Sequence, residues 1–213
     1  MTALKQRTGP SHGGSATPKV TVIEIGCANT ASVLFALERL KVEARLSSSP
    51  DEIAAASKVV LPGVGAAGFA MARIRELGLF DAIRGLKVPL LGVCLGQQLL
   101  FDGSDEGDVA CLGLIPGQVT KMTATQDMVV PHMGWNQLDV LRDDPLTAGV
   151  HDGDYAYFVH SFVCPVNDFT LASCTYGDPF AAMVRKDNVW GCQFHPERSS
   201  ATGAAILENF VRL

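Results

Sequence analysis

The sequence contains no long apolar run and no secretory signal. No segment reaches the roughly 18 consecutive apolar residues that a membrane-spanning helix requires. Residues 1–18 are rich in Ser, Thr, Gly and Pro, lack the apolar core of a signal peptide and show no periodic apolar pattern. We therefore expect 1–18 to be a disordered extension, and we expect the protein to be cytoplasmic.

Positive charge is scarce as well. The chain has 17 Lys and Arg residues against 22 Asp and Glu residues, which gives a net charge of −5, and no basic cluster offsets this balance. Such a charge argues against a general affinity for nucleic acid or for an anionic membrane, and leaves small neutral or anionic metabolites as ligands. Because 213 residues with 47% hydrophobic content suffice for one substantial core, we expect one domain over 19–213.

Metal-binding and disulfide patterns are absent too. The six cysteines show no CxxC spacing and mostly lie in apolar surroundings, and the five histidines form no compact cluster with zinc spacing. We expect no metal site, no cofactor and, rather than disulfides, buried free thiols. The cysteines are Cys27, Cys94, Cys111, Cys164, Cys174 and Cys192.

Two different patterns divide the chain. The first half alternates short β-branched runs with helical patterns, which is typical of a parallel sheet with crossover helices. After Gly113 the pattern changes to strands separated by turns. We therefore predict an α/β fold with a mostly parallel open sheet, flanking helices and an antiparallel extension. The predicted strands are 20–25, 58–61, 88–93, 118–122, 135–141, 155–163, 170–175, 181–185 and 189–194, and the predicted helices are 30–40, 68–77, a helix after Cys94, and 201–211.

Cys94 stands between Gly92 and Gly96, where a short apolar run ends and a helical pattern begins. A strand that turns abruptly into a helix needs small residues beside the turning residue, because its strained backbone leaves no room for neighbouring Cβ atoms. The helix N-terminus behind the cysteine favours the thiolate. The pattern indicates a nucleophile, with a buried cysteine at a tight turn as the alternative. Cys27 also follows a predicted strand and is a rival nucleophile, but nothing around it resembles such a turn.

A histidine and a carboxylate, His195 and Glu197, follow another apolar run about a hundred residues later. A cysteine nucleophile works best with a histidine that takes its proton and later returns it to the leaving group. Glu197 can then fix the tautomer of the imidazole and stabilise the imidazolium. When each residue is considered separately, the alternative interpretation of His195 is a loop histidine, and that of Glu197 is a solvated surface charge. Together with Cys94, they indicate a catalytic triad.

The cysteine in Gly-x-Cys-x-Gly and the histidine in His-Pro-Glu resemble those of class I glutamine amidotransferases, over about residues 20–213. The segments Pro62–Gly65, Pro131–Asn136 and Tyr157–Ser161 narrow the resemblance to glutaminase subunits of imidazole glycerol phosphate synthase. The resemblance implies a flavodoxin-like sheet, no cofactor, and hydrolysis of L-glutamine to glutamate and ammonia in histidine biosynthesis.

The glycines of Pro62-Gly63-Val64-Gly65 fit an oxyanion hole. Attack by a thiolate on an amide creates a tetrahedral oxyanion that needs N–H groups aimed at it, and a glycine-flanked loop after a strand can turn peptide planes inward. We assign the hole to Gly63, Val64 and the Leu95 amide; the alternative is an ordinary Pro-Gly turn. The resemblance also implies that this loop can require a peptide flip, which would leave the isolated subunit nearly inactive.

For glutamine itself, the resemblance implies four binding residues. It places Gln98 on the helix after Cys94, Glu106 near the substrate ammonium group, and backbone groups of Ser161 and Phe162 near the substrate carboxylate. The sequence alone supports an alternative equally well, in which Gln98 belongs to a polar helix face and Glu106 is a solvated loop charge. His132 and His160 are assigned to packing or to a subunit interface.

Because 213 residues suffice for one catalytic domain, we expect no second synthase domain here and expect another chain to bind the ammonia acceptor. The resemblance implies a (βα)8-barrel cyclase subunit that receives ammonia through an internal channel, forming a heterodimer that makes imidazole glycerol phosphate and AICAR. Tryptophan, tyrosine and arginine are enriched in interface hot spots, which favours a docking surface with Trp135, Tyr157 and Arg198, and with Asn29 as a weaker candidate. Core packing is the alternative for Trp135 and Tyr157.

Three positions depart from the pattern of this family. Ala28 replaces a glycine of the first loop, Phe162 stands where tyrosine is common, and Arg198 stands where lysine is common. None belongs to the triad, so the departures bear on coupling to the partner rather than on the reaction. The alternatives left open are a glutaminase of another pathway, such as pyridoxal phosphate, anthranilate or guanylate synthesis, and a non-catalytic regulatory subunit of the same fold.

Overall fold

A central sheet of eight strands organises the structure, a computed structural model that describes residues 19–26, 29–126 and 128–213. The extension predicted at 1–18, Cys27 and Ala28 lie outside the described residues. Across the sheet the strands are β2 (Glu43–Ser47), β1 (Lys19–Ile23), β3 (Val59–Gly63), β4 (Leu90–Cys94), β14 (Val189–Cys192), β13 (Asp178–Lys186), β12 (Thr170–Tyr176) and β9 (Asp139–Val140).

The first five strands of this order are parallel, and β13, β12 and β9 continue the sheet antiparallel to their neighbours. The predicted parallel sheet with an antiparallel extension is therefore confirmed. The edge strand β2 was not predicted, because its Glu-Ala-Arg-Leu-Ser sequence carries charges and only its last residue is buried.

Helices cover both faces of the sheet, as the alternation of side chains in its strands requires. In β1, Val20 and Val22 belong to one core cluster, which also contains residues of two helices, α1 (Thr30–Arg39) and α6 (Ser200–Arg212). Ile23 belongs to the opposite cluster, with residues of α3 (Ala67–Glu76) and α4 (Leu79–Arg84). Successive side chains of a strand point to opposite faces, so each face buries its own core.

Two further helices are short. They are α2 (Pro50–Ala54) and α5 (Leu95–Leu99). The sequence pattern predicts α1, α3, α5 and α6 but misses α2 and α4, because five or six residues are too few to show helical periodicity. Among the described helices, none has both the length and the apolar character needed to cross a membrane.

Two smaller sheets lie beside the central one. A two-stranded ribbon pairs β8 (His132–Gln137) with β10 (Tyr155–His160), and a four-stranded sheet contains β5 (Gly103–Ser104), β6 (Val109–Ala110), β7 (Gln118–Lys121) and β11 (Phe162–Val163). The single strands predicted at 135–141 and 155–163 are each divided between two sheets, which corrects those two predictions. The breaks fall at Leu138 and Ser161, where the backbone changes partners while the apolar pattern continues.

Candidate active site

Cys94 ends β4 and directly precedes α5, at a backbone φ of 55° and ψ of −111°. Residues other than glycine rarely adopt this region, so the turn is strained. A Cβ on Gly92 would lie 2.7 Å from the Gly96 carbonyl carbon, and a Cβ on Gly96 would lie 1.8 Å from the Leu61 oxygen. Only glycine fits at either position, and the strand-to-helix turn predicted at Cys94 is present.

His195 reaches the same sheet edge because β4 and β14 are parallel neighbours. Val93 lies opposite Cys192 in their register, so the chain leaves both strands at one end, beside Cys94. The backbone there is fixed by the ribbon: the His195 N–H donates to the Tyr157 carbonyl over 3.0 Å. Ligands of open α/β sheets lie beyond the carboxyl ends of the strands, which is where these residues meet.

The imidazole of His195 is paired with a buried carboxylate. Its Nδ1–H donates to Oε1 of Glu197 over 2.8 Å, and only 3% of the Glu197 side chain is exposed. This bond leaves Nε2 as the nitrogen that can exchange a proton with Cys94. Burial lowers the pKa of His195, but hydrogen bonds to Cys94 and Glu197 outweigh it and raise this pKa well above its ordinary value. The site therefore favours the imidazolium.

A cavity of about 330 Å³ opens onto these residues. All four residues predicted to bind glutamine border it, together with Cys94 and His195. Two of the three predicted oxyanion-hole residues do so as well. Its lining is Val64, Gly65, Cys94, Leu95, Gln98, Glu106, Pro131, Val159, His160, Ser161, Phe162 and His195.

The predicted oxyanion-hole residues lie on both sides of the turn. Leu95 is the first residue of α5, where a helix leaves its N–H groups without intrahelical partners. Val64 follows β3 and borders the cavity, whereas Gly63 lies within β3, directly opposite Cys94 in the register. The left-handed backbone of this loop is at Gly65, with a φ of 89°. The three residues are thus neighbours of Cys94 in the sheet register, in the chain or along the cavity wall.

Gln98 and Glu106 also make contacts within the protein. The Gln98 Nε2 group donates to the Phe162 carbonyl and to Oε1 of Gln193, both over 3.0 Å. Oε2 of Glu106 accepts from the Ala67 N–H at the first residue of α3, over 2.8 Å. Each side chain therefore helps to fix the cavity wall that it borders.

His132 and His160 face each other across the ribbon and are buried, as the packing assignment predicts. His132 Nδ1 lies 3.1 Å from His160 Nε2, and His160 Nδ1 lies 3.0 Å from the Phe162 carbonyl. Burial lowers the pKa of His132 to about 4. Burial and the neighbouring His132 lower the pKa of His160 to about 3. The pair is therefore neutral near pH 7.

Three of the four predicted docking residues form one cluster. The rings of Trp135 and Tyr157 are 5.8 Å apart and nearly perpendicular, and the Arg198 guanidinium lies 5.0 Å from the Tyr157 ring centre. Trp135 is 51% exposed, which excludes core packing for its side chain. The side chain of Asn29, the fourth predicted residue, accepts a hydrogen bond from the Ser32 N–H at the start of α1.

Two buried polar residues of the site were not predicted. Gln193 is fully buried, and its Nε2 lies 3.9 Å from Sγ of Cys94. Ser199 is fully buried too; its hydroxyl donates to the His195 carbonyl over 2.7 Å and accepts from the Tyr157 N–H over 3.0 Å. Their position beside His195 in the Gly191–Ser199 segment is the signal that could have identified them.

The other described cysteines are free thiols, as predicted. Burial raises the pKa of Cys111 to about 11 and of Cys164 and Cys174 to about 12, and it also raises the pKa of Cys192. Cys192 lies in β14, which confirms it as a strand residue. Within 19–26, 29–126 and 128–213, no group of three or more His, Cys, Asp or Glu side chains could hold a metal ion.

Comparisons with known proteins agree on one family. A model of the family "Glutamine amidotransferase class-I" matches residues 21–213. A protein of Xanthomonas axonopodis pv. citri, named imidazole glycerol phosphate synthase subunit HisH, is 52% identical over 194 residues, or 91% of this chain and 97% of the relative. A protein of the same name from Xylella fastidiosa is 50% identical over 195 residues, or 92% and 98% of the two chains.

Solved structures share the fold at much lower identity. A structure titled as a glutamine amidotransferase matches with a TM-score of 0.70 and 20% identity, over 91% of this chain and 97% of that one. The structure of PurLQS from Thermotoga maritima matches with a TM-score of 0.69 and 20% identity, over 92% and 98% of the two chains. At this identity the likeness supports the fold alone.

Proposed function

Because this chain belongs to the class I glutamine amidotransferases, we propose that it is the glutaminase subunit of imidazole glycerol phosphate synthase in histidine biosynthesis. It hydrolyses L-glutamine to glutamate and ammonia, and a partner subunit consumes the ammonia. Relatives at about 50% identity carry the name of this subunit, which favours it over glutaminases of other pathways.

The observation that carries the proposal is the meeting of Cys94 and His195 at one cavity, with the Glu197 carboxylate bonded to the far side of the His195 ring. The strained backbone of Cys94 and the buried carboxylate behind His195 are costly features that packing alone does not require. They support an active triad and argue against a regulatory subunit that only keeps the fold.

In the first half of the reaction, Cys94 transfers its thiol proton to His195 and attacks the side-chain amide carbon of glutamine. A C–S bond forms and the carbonyl oxygen takes the negative charge. The amides of Gly63, Val64 and Leu95 stabilise this oxyanion. His195 then gives its proton to the amide nitrogen, the C–N bond breaks, and ammonia leaves a γ-glutamyl thioester on Cys94.

In the second half, water attacks the thioester carbon while His195 takes a proton from it. The C–S bond breaks, the thiolate is restored beside the imidazolium, and glutamate leaves after its new carboxyl group loses a proton to solvent. Glu197 fixes the Nδ1–H tautomer of His195 in both halves.

The substrate fits the polar groups of the cavity wall. The Glu106 carboxylate attracts the ammonium group of glutamine, and the backbone at Ser161 and Phe162 binds its carboxylate. Gln98 uses both Nε2 hydrogens on Phe162 and Gln193. Its Oε1 is left to accept a hydrogen bond from the substrate.

The partner is a (βα)8-barrel subunit that docks on the surface formed by Trp135, Tyr157 and Arg198, with Asn29 at its margin. Two backbone hydrogen bonds of Tyr157 connect this surface to the segment that carries the triad histidine. The Tyr157 carbonyl accepts from the His195 N–H, and the Tyr157 N–H donates to the Ser199 hydroxyl. Docking on Tyr157 can therefore act on the backbone of His195. Ammonia passes from the cavity to the barrel, which uses it to form imidazole glycerol phosphate and AICAR.

The test is glutamate release by the purified chain, alone and with the barrel subunit plus its ribonucleotide substrate. We expect strong activation in the complex, and loss of activity by at least about a thousandfold in Cys94→Ala, because residues of a triad act as a unit. The matched control is Cys174→Ala, which removes a buried thiol of the central sheet outside the cavity.

Full activity in Cys94→Ala would mean that Cys94 is not the nucleophile. An active wild type that the barrel subunit does not stimulate would instead refute the pathway assignment while leaving the triad intact.

A further inference from the structure

Gln193 is a fully buried amide beside the reacting sulfur, and the reaction as proposed above gives it no role. It follows β14 and precedes His195 by two positions. Its backbone N–H donates to the Ala182 carbonyl over 2.8 Å, so the residue is held against β13. Burying an amide costs free energy unless its donor and acceptor find partners. The partners of its side chain therefore indicate what it does.

The hydrogen-bond network fixes which end of the Gln193 amide faces Cys94. A backbone carbonyl only accepts, so the Gln98 atom that contacts the Phe162 oxygen must be the NH₂ group. The same NH₂ group contacts Gln193, whose facing atom must then be its oxygen. The remaining end of the Gln193 amide, 3.9 Å from Sγ of Cys94, is therefore its NH₂ group.

Two protein groups with opposite effects thus contact the Cys94 sulfur. The Val159 carbonyl, 3.8 Å away, can accept a hydrogen bond only from the protonated thiol. The Gln193 NH₂ group can donate to the sulfur, and such a donor interacts more strongly with a thiolate than with a thiol. Gln193 therefore favours the ionised form, in which the proton has passed to His195.

We infer that Gln193 stabilises and positions the Cys94 thiolate through its side-chain N–H, and that Gln98 holds the Gln193 amide in the required orientation. This inference rests on the proposed role of Cys94 as the nucleophile. It also gives Gln98 a second task, because the residue that borders the substrate cavity orients the donor to the nucleophile.

Alkylation of Cys94 by iodoacetamide tests this inference without any turnover of glutamine. The thiolate displaces iodide from the reagent and forms a C–S bond, so the rate reports the thiolate fraction. The full-length chain is reacted between about pH 5 and pH 10, and peptide mass spectrometry follows Cys94 separately from the other cysteines. Thermal melting first establishes that each variant folds.

Two variants remove the donor in different ways. Gln193→Met removes the whole amide and keeps the volume, whereas Gln193→Glu keeps an oxygen for Gln98 but puts a carboxylate beside the sulfur. The matched control is Gln97→Met. Gln97, a residue of α5, is a fully buried amide like Gln193, but its Nε2 donates to the Ala181 carbonyl instead of the sulfur.

We expect Gln193→Met to move the midpoint of the rate profile up by about one pH unit, and so to slow alkylation of Cys94 about tenfold at pH values below that midpoint, as for the loss of one hydrogen bond to a charged group. Gln193→Glu should slow it further, because a second negative charge opposes the thiolate. Gln97→Met should keep the wild-type profile.

Wild-type profiles in both folded Gln193 variants would overturn the inference and leave Gln193 as core packing. If Gln193→Met does not fold, Gln193→Ala, which removes the same donor without adding a charge, takes its place in the test. Failure of the proposed function looks different, because it would appear in the wild type itself, as a Cys94 that reacts no faster than an ordinary thiol.

Discussion

Within the part of the chain that the structure describes, buried histidines occur in two regions, and the pKa values of the histidines shift in opposite directions in the two. His195 lies beyond the carboxyl ends of the parallel strands of the central sheet, and His132 and His160 face each other across the ribbon of β8 and β10. All three are at most 9% exposed. Burial lowers the pKa of each, yet only His195 has a pKa raised above its ordinary value.

The partners of each imidazole account for this difference. His195 has the Glu197 carboxylate on one side and the Cys94 sulfur on the other, and both interact best with a positive charge. His160 has another imidazole, a backbone carbonyl and, at longer range, the charge of His195, which disfavours a second positive charge. The comparison teaches that partners, rather than burial, decide whether a buried histidine carries a mobile proton.

The neutral pair has its own use, because its tautomers are fixed. The Phe162 carbonyl requires N–H on Nδ1 of His160, so Nε2 accepts from the Nδ1–H of His132. His132 Nε2 is then an acceptor for the Asn136 amide, 3.4 Å away. The chain of hydrogen bonds runs from Asn136 to Phe162 and fixes the cavity wall without a titrating group near pH 7.

Among the variants that test this comparison, the largest effect is expected when the carboxylate bonded to His195 is removed. Glu197→Gln keeps the size of the side chain but removes the carboxylate, so the His195 tautomer is no longer fixed and its imidazolium loses its partner. We expect glutamate release by the complex to fall about 10³- to 10⁴-fold, as in other triads that lose their carboxylate.

Glu208→Gln, on the exposed face of α6, is the matched control and should keep wild-type activity. A loss of less than about tenfold in Glu197→Gln would contradict the role assigned to this carboxylate.

Local sequence predicts one of these two regions much better than the other. The turn at Cys94 depends on Gly92 and Gly96, which are two residues away, and the Glu197 bond spans two residues, so short motifs contain both. His132 and His160 lie 28 positions apart, and the sequence predicts their packing but not their pairing. Gln193 contacts Cys94 across 99 positions, and only the fold reveals that contact.

The same distinction holds for the fold. Strands β4 and β14 are continuous apolar runs buried by helices on both faces, so their sequences predict them. The edge strand β2 is charged, and the division at Ser161 depends on which strand each segment pairs with. Pairing is a tertiary property that the apolar pattern along one segment does not contain.

A second test concerns stability in acid, where the two regions should respond differently. The pKa of His132 and of His160 is lower in the folded protein than in the unfolded chain, so below about pH 6.5 the unfolded state binds more protons. The free energy of unfolding should therefore decrease as the pH falls from 7 to 5, by about 2 kcal/mol per histidine. His195 has a raised pKa, and its contribution is complete below about pH 6.5 and is lost only in alkali.

The measurement is urea unfolding of wild type and His160→Gln at pH 7 and pH 5. The variant should lose about half as much stability as the wild type over this range. His151→Gln, at an exposed histidine of the loop before β10, is the control and should behave as the wild type. Equal losses in all three proteins would assign the acid sensitivity to other groups.

The smallest expected effect comes from making His132 resemble His195. Asn136→Asp places a carboxylate about where the Asn136 amide lies, 3.4 Å from His132 Nε2, so protonation of that nitrogen becomes more favourable. At pH 7 the variant should lose about 1 kcal/mol of stability, since Asn136 also donates to the Thr175 carbonyl. Its further loss between pH 7 and pH 5 should be smaller than that of the wild type by about 1 kcal/mol.

Gln137→Glu controls for the added charge, because successive residues of β8 face opposite sides of the ribbon and Gln137 is exposed. This control should keep the wild-type dependence on pH. If Asn136→Asp instead loses as much stability in acid as the wild type, a nearby carboxylate is not sufficient to charge a buried histidine here. The raised pKa of His195 would then require the Cys94 sulfur as well as Glu197. The two regions would then differ because His195 has two partners that favour its charge, and one carboxylate alone would not account for the difference.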